Sequence, residues 1–382
     1  MKIPNFGLER WKTEHILPGV LDLTETGVPE PLRLKDIFKE ELLDLVMDYA
    51  PLYGSEKLRE EIAELYRNVD KDNVLVTSST SEGNMIAANT CLGNGDEAVV
   101  QLPAFMQLPG LVEAIGTKIR YYYLEEEDGF QLNADKLNEK VSPNTRAIVL
   151  NFPNNPTGRV LSEKQVKAIC EIAGDHDAWI IADEVYRGIE FEGPFSPSFS
   201  EYYDKAVTTS SLSKVWGLAG LRTGWMIAPK TMIKGSASAY KEYTSLGCSL
   251  LSERLATIAL EKPTRDKLIE RGRRLVKESL RVFDDWIRNH EDVFSWIKPE
   301  FGVIALVKQR LGISSSEFAE RVYKEKKVAI VPCDTAFTTL NDYLRISYCH
   351  PPRTLAEGLN KISDVIKSLR VASKPQRGAA TH

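Results

Sequence analysis

The feature that most restricts the fold is an alternation running through the middle of the chain. Short apolar runs recur at 74–77 (VLVT), 98–102 (AVVQL), 119–124 (IRYYYL), 147–153 (AIVLNFP), 178–183 (AWIIAD), 205–213 (KAVTTSSLS) and 224–229 (GWMIAP). Between several of them lie longer stretches with helical periodicity, such as 162–176 (SEKQVKAICEIAGDH). Runs this short and this apolar are strands buried on both faces. Alternating them with helices predicts an α/β domain, a three-layer arrangement in which helices cover a mainly parallel sheet.

The flanks have a different texture. The first thirty or so residues, with Gly27, Pro29 and Pro31, show no long periodic run and predict an extended arm. The apolar positions Ile37, Leu42, Leu43, Leu45 and Val46 predict a helix after it, and EKLREEIAELYR a second one. Beyond residue 255 comes a long amphipathic helix (ERGRRLVKESLRVFDDWIRNH), then short strands (FGVIALV, VAIVP, YLRISY) alternating with helices. These predict a smaller α+β domain. The expected division is 1–44, an arm belonging to the small domain; 45–255, the large domain; 256–370, the small domain; and 371–382, a disordered tail.

Composition removes several function classes. Net charge is −5 and Lys and Arg are scattered, so no basic footprint for nucleic acid or anionic membrane exists. No run reaches the length of a membrane span and the beginning carries no apolar signal core. Cys91, Cys170, Cys248, Cys333 and Cys349 are odd in number and far apart, which predicts reduced thiols, a cytoplasmic setting and no metal site. There is no GxGxxG, no phosphate-binding GxxxxGK[ST], and no HExxH. Ser211-Leu212-Ser213-Lys214 fits the SxxK of penicillin-recognising enzymes, but the SDN and KTG companions are missing.

Three polar clusters follow apolar strands in order: NFPNNPTG at 151–158, IIADEVY at 180–186, and SLSKVWGLAGLRTGW at 211–225. In an open α/β sheet ligands sit outside the carboxyl ends of strands, so these clusters can converge on one cleft. Together they resemble the signatures of fold-type I pyridoxal-phosphate enzymes, in particular the class I/II aminotransferases, and the resemblance runs from about Gly27 to Arg345.

The resemblance implies the following roles. Lys214 holds pyridoxal 5'-phosphate as a Schiff base and moves the substrate proton. Asp183 keeps the pyridine nitrogen protonated, and Asn155 and Tyr186 bond the phenolic oxygen. Ser79, Thr80, Ser81, Ser211 and Arg222 hold the phosphate, with Ser-Thr-Ser standing where the family usually carries glycine. Phe105 stacks on the ring. Tyr49 reaches the phosphate of the partner subunit, which implies a homodimer. Arg345 binds the substrate α-carboxylate, with Asn155 beside it and Gly27 closing over it. In VPCDTAF, Cys333 replaces a usual glycine, which makes the pocket wall near Phe337 unusual.

The implied reaction is transamination between an L-amino acid and a 2-oxo acid. The alternatives are a lyase, cyclase or oxidase acting on a substituted amino acid, arginine-derived ones included, and a catalytically silent cofactor-binding regulator. Filled catalytic positions and the lack of room for an added DNA-binding domain argue against the regulator. Glu25 in LTETGVPEP stands near the expected site, where it either meets a cationic side chain or is solvated; no second arginine can be assigned to a side-chain carboxylate.

Overall fold

The computed structural model describes residues 2–337 and 339–372, with side chains up to residue 370. The expected tail falls mostly outside this range: residues 371 and 372 close the last helix, and 373–382 lie outside the described residues. Among the described residues no helix is long and apolar enough to cross a membrane.

In chain order the strands are β1 (Leu21–Asp22), β2 (Val74–Thr77), β3 (Glu97–Leu102), β4 (Lys118–Tyr123), β5 (Thr145–Asn151), β6 (Trp179–Asp183), β7 (Ala206–Ser211) and β8 (Gly224–Ile227). They continue with β9 (Phe294–Trp296), β10 (Ile304–Gln309), β11 (Val328–Ala329), β12 (Val331–Pro332) and β13 (Tyr343–Ser347). The large sheet has seven strands in the order β2-β8-β7-β6-β5-β3-β4. Pairing is parallel from β7 through β4, while β8 runs antiparallel to both β7 and β2. Strand β2 therefore points the same way as the parallel set, and β8 alone is reversed.

That topology decides where chemistry can occur. The carboxyl ends of β2, β3, β5, β6 and β7 all face one edge, and the reversed β8 begins there. Buried on both faces, the central strands are apolar nearly throughout: Ala147, Ile148, Leu150, Ile180, Ile181 and Ala182 are sealed from solvent. The edge strand β4 instead alternates exposed and partly covered residues from Lys118 to Tyr121 before Tyr122 is buried and Tyr123 exposed.

A four-stranded antiparallel sheet, ordered β12-β13-β10-β9, forms the smaller unit, and the helices Lys262–Arg288 and Pro352–Ala372 pack against each other beside it. One apolar core joins the two units: Leu212, Val215 and Trp216, which follow β7, share it with Phe283 of the long helix and Val303 of the small unit. Removing a large side chain from such a core costs about 3–5 kcal/mol.

Two expectations are corrected. The arm is not extended throughout: Gly7–His15 is an α-helix whose buried face carries Leu8 and His15, and β1 pairs in parallel with β11. A single buried stripe of a nine-residue helix is too short for periodicity to reveal. Second, 34–46 is not one helix but two 3-10 turns, Leu34–Asp36 and Glu40–Asp44, neither with a buried residue. Only part of its apolar surface meets the core: Ile37 is buried in it and Leu42 packs against it, while Leu43 and Val46 are each 77% exposed.

Candidate active site

A cleft of about 500 Å³ opens at the shared strand edge. It is lined by Ser79, Thr80, Ser81, Phe105, Asn155, Asp183, Tyr186, Ser211, Lys214, Arg222 and Arg345, so the structure brings nearly all the expected residues together. Gly27 lies beside the wall, where an added Cβ would be 3.4 Å from the Ser213 carbonyl oxygen. Tyr49 does not reach this cleft; it is 88% exposed on the protomer surface.

Asp183 ends β6 at the floor and is almost completely buried. Its Oδ2 accepts from Asn84 Nδ2 at 2.8 Å and its Oδ1 accepts from the Val185 N–H at 3.1 Å. Burial pushes the carboxyl up to about 6, against the pull of those two donors and of the Lys214 charge. A cation beside it would restore full ionisation.

Lys214 follows β7, and its Nζ donates to Thr26 Oγ1 at 2.6 Å and lies 3.4 Å from Glu25 Oε1. Both partners belong to the arm. The arm is held there because the Val28 N–H donates to the Lys214 carbonyl at 3.1 Å, and because Val28 wedges between two glycines. A Cβ on Gly217 would sit 2.9 Å from Val28 Cγ2, and one on Gly272 would sit 3.2 Å from Val28 Cγ1. Glycine at 217 also supplies the required φ of 69°.

One end of the cleft, with the groups to hold an anion, is built from the start of the helix Thr80–Cys91, Ser211 and Arg222. The first N–H groups of a helix have no intrahelical acceptors and favour an anion. Thr80 Oγ1 is buried without a partner, a donor waiting for an acceptor. Ser79 holds φ 134° and ψ 170°, a conformation populated essentially by glycine. Gly224 lets the two backbones touch, since its Cβ would fall 2.5 Å from the Ser79 carbonyl carbon. Arg222, with φ 50°, donates from Nη1 to Ser213 Oγ at 3.3 Å and to the Ala219 carbonyl at 3.2 Å, and its side chain lines the cleft.

At the opposite end Arg345 is buried to 1% exposure on β13. Its Nη1 donates to Asn155 Oδ1 at 3.2 Å and its Nη2 to the Thr24 carbonyl at 2.8 Å, while Nε has no partner. Its guanidinium lies 5.9 Å from the Phe337 ring centre. The expected unusual wall is not there: Cys333 is fully buried at the start of a short helix and neither it nor Phe337 lines the cleft. Tyr186 is buried against Phe301, with ring centres 5.4 Å apart, and burial raises its hydroxyl pKa.

Sequence reasoning missed Asn84, Thr26, Gln107 and the helix wall formed by Phe6, Glu9 and Lys12. Asn84 lies four residues beyond Thr80, one helical turn on, and that spacing was the available signal.

A phosphate cradle, a buried carboxylate, an amine and a buried guanidinium with a spare N–H, arranged on the carboxyl edge of this sheet, define a pyridoxal-phosphate enzyme of fold type I. Aminotransferase class I and II is the family whose pattern matches residues 31–362. The chain belongs to that family and is a pyridoxal-phosphate-dependent aminotransferase. It is 29% identical to aromatic-amino-acid aminotransferase 2 of Thermococcus litoralis over 92% of each chain. It is 28% identical to capreomycidine synthase of Streptomyces vinaceus, covering 95% of this chain and 94% of that one. The crystal structure of a PLP-dependent aminotransferase from Streptococcus suis superposes with a TM-score of 0.90 at 28% identity, over 97% of this chain and 99% of the other.

Proposed function

We propose that Lys214 is the residue that condenses with the cofactor and that the enzyme moves the amino group of an L-amino acid to a 2-oxo acid at this cleft. The observation that carries the assignment is the convergence of Lys214, Asp183 and Arg345 on one cavity, with Arg345 Nε and Thr80 Oγ1 buried and unpaired at its two ends. Those ends match a ligand with a carboxylate at one side and a phosphate at the other.

When bound, the cofactor supplies an aldehyde and an electron-withdrawing ring. Everything else is done by side chains. Ser79, Thr80, Ser81, Ser211 and Arg222 bind the phosphate, and Phe105 covers the ring. Asp183, aimed by Asn84, holds a proton at the ring nitrogen, and Asn155 and Tyr186 bond the phenolic oxygen. Arg345 fixes the α-carboxylate and so presents the α-hydrogen to Lys214 Nζ, which takes the proton and returns it.

Tyr49 completes the phosphate site of a second subunit in a homodimer. Support comes from the exposed apolar surface it shares with Val46 (77% exposed) and Met47 (71%), which a protomer in water would not favour. The arm 1–44, large domain 45–255 and small domain 256–370 are the units that close around substrate. Unpaired cysteines, four of them buried, suit the cytoplasm.

The test is to give purified holoenzyme a panel of amino acids with 2-oxoglutarate or pyruvate and quantify the new amino and oxo acids. Stoichiometric exchange from at least one donor is expected. Consumption of an amino acid with release of ammonia or ring closure, and no exchange, would replace transamination by elimination or cyclisation, and similarity to a solved PLP-dependent cyclase at 28% identity favours the latter.

A further inference from the structure

The cleft wall opposite the strand edge is made by the arm and the helix Gly7–His15, and it carries charge that the reaction chemistry does not use. Glu25 Oε1 lies 3.4 Å from Lys214 Nζ, and Glu25 Oε2 lies 3.6 Å from Lys12 Nζ. Glu9, one turn before Lys12, lines the same wall. The neighbouring residue Thr24 accepts from Arg345 Nη2 at 2.8 Å, so the backbone that fixes the carboxylate anchor also fixes Glu25. The Glu25 side chain keeps 47% of its surface exposed, with room for a ligand to approach.

Charge balance then changes as the enzyme is loaded. Lys214 must give up its positive charge to act as a nucleophile, which removes the nearest cation from Glu25. What remains on this wall is two carboxylates, Glu9 and Glu25, and one ammonium, Lys12. The other cations lining the cleft are committed: Arg222 stands at the phosphate end and Arg345 at the α-carboxylate end. Burial raises the Glu25 carboxyl, but with Lys214 charged that lysine, Lys12 and the Thr26 N–H take it down to about 2, and Lys12 and the Thr26 N–H still favour the carboxylate once Lys214 is neutral.

We propose that Glu25, with Glu9 beside it, selects an amino-acid substrate whose side chain ends in a cation, a guanidinium or an ammonium. This rests on reading the cleft as an amino-acid site. In this arrangement the substrate cation takes the place that Lys214 vacates, and Lys12 restrains the outer oxygen of Glu25. A dicarboxylic donor meets only the already paired Lys12.

Binding is the decisive measurement, with ligands that lack an α-amine and so cannot react. Calorimetry on holoenzyme compares 5-guanidinopentanoate with heptanoate, which keeps the carboxylate but has no terminal cation. The guanidino acid is expected to bind at least about tenfold tighter, the scale of one charge-assisted pair. Glu25→Gln should abolish that preference while leaving heptanoate binding unchanged, and Lys12→Met should widen it. Equal affinities in the parent enzyme, or a preference that survives Glu25→Gln, would overturn the proposal. Amine exchange separates the two readings. Exchange from aromatic or dicarboxylic donors in preference to cationic ones sinks the selectivity and leaves the transaminase intact. No exchange from any donor removes the reaction, while the calorimetry still reports on the wall.

Discussion

Asn84 donates from Nδ2 to Asp183 Oδ2 at 2.8 Å while its Oδ1 accepts from Thr209 Oγ1 at 2.5 Å. A helix residue thus ties the floor carboxylate of one strand to the next strand, and all three residues are buried. Asn84→Leu would leave a carboxylate oxygen and a hydroxyl without partners. We expect it to cost about 2–4 kcal/mol of stability in urea unfolding and to weaken cofactor binding as well. A variant as stable as the parent would show that the amide does not organise the floor.

Asp183 links cofactor affinity to pH. Its carboxyl is raised from 3.8 to about 6, so the folded apoprotein holds a proton there that the unfolded chain releases earlier. Stability from this group is therefore complete below about pH 4, falls as pH rises towards 6, and is lower by on the order of 3 kcal/mol above that. Asp183→Asn should remove the penalty. Apoprotein melting temperatures of variant and parent should diverge in favour of the variant between pH 4.5 and pH 8. Cofactor affinity should move the opposite way, weakening by on the order of 10²-fold at pH 8 because the ring nitrogen loses its counter-charge.

Lys214→Ala should abolish turnover, by at least about 10³-fold, with the fold retained. The check is absorption of bound cofactor together with amine exchange. Normal exchange by this variant would place the chemistry on another residue.

Arg345→Lys keeps the charge and loses the planar fork. With Nη1 on Asn155 and Nη2 on Thr24, a lysine cannot hold both and still address a carboxylate. A loss of about 10–100-fold in kcat/KM for amino acids is expected, with cofactor affinity little changed. Steady-state kinetics beside a cofactor titration distinguishes this from a general disruption.

Ser79→Gly should stabilise the protein by about 1 kcal/mol. Serine bears the cost of φ 134°, which glycine does not. Gly224→Ala should do the reverse, pressing a methyl group onto the Ser79 backbone. Thermal unfolding of the two variants tests both signs at once.

Much of this was readable before any coordinates. The carboxyl-end clusters placed Asn155, Asp183 and Lys214 on one edge because buried parallel strands leave an unambiguous apolar signature. The reversed direction of β8 carried no such mark: GWMIAP reads the same either way, although that reversal is what delivers Arg222 to the edge. The arm was read least well. Leu21 is in register with Val328, a pairing between two-residue strands that neither local stretch can announce. The wall made by Glu9 and Lys12 sits on a helix that packs against the helix Cys333–Ala336 and β12, contacts equally remote in sequence. The exposed turns around Leu43 and Val46 misled for the opposite reason, being apolar without a core to meet inside the protomer.

The pairing of Leu21 with Val328 also sets an order of assembly. During synthesis Leu21 leaves the ribosome long before its partner exists, and joining them closes nearly the whole chain into a loop, an entropic cost met only when both sheets are in place. Lys214 can thus be housed on a finished sheet while its partners from the arm, Thr26 and Glu25, are still adrift. With Glu25 selecting the substrate as proposed, discrimination waits on the closing of this loop, whereas the sheet that carries Lys214 does not.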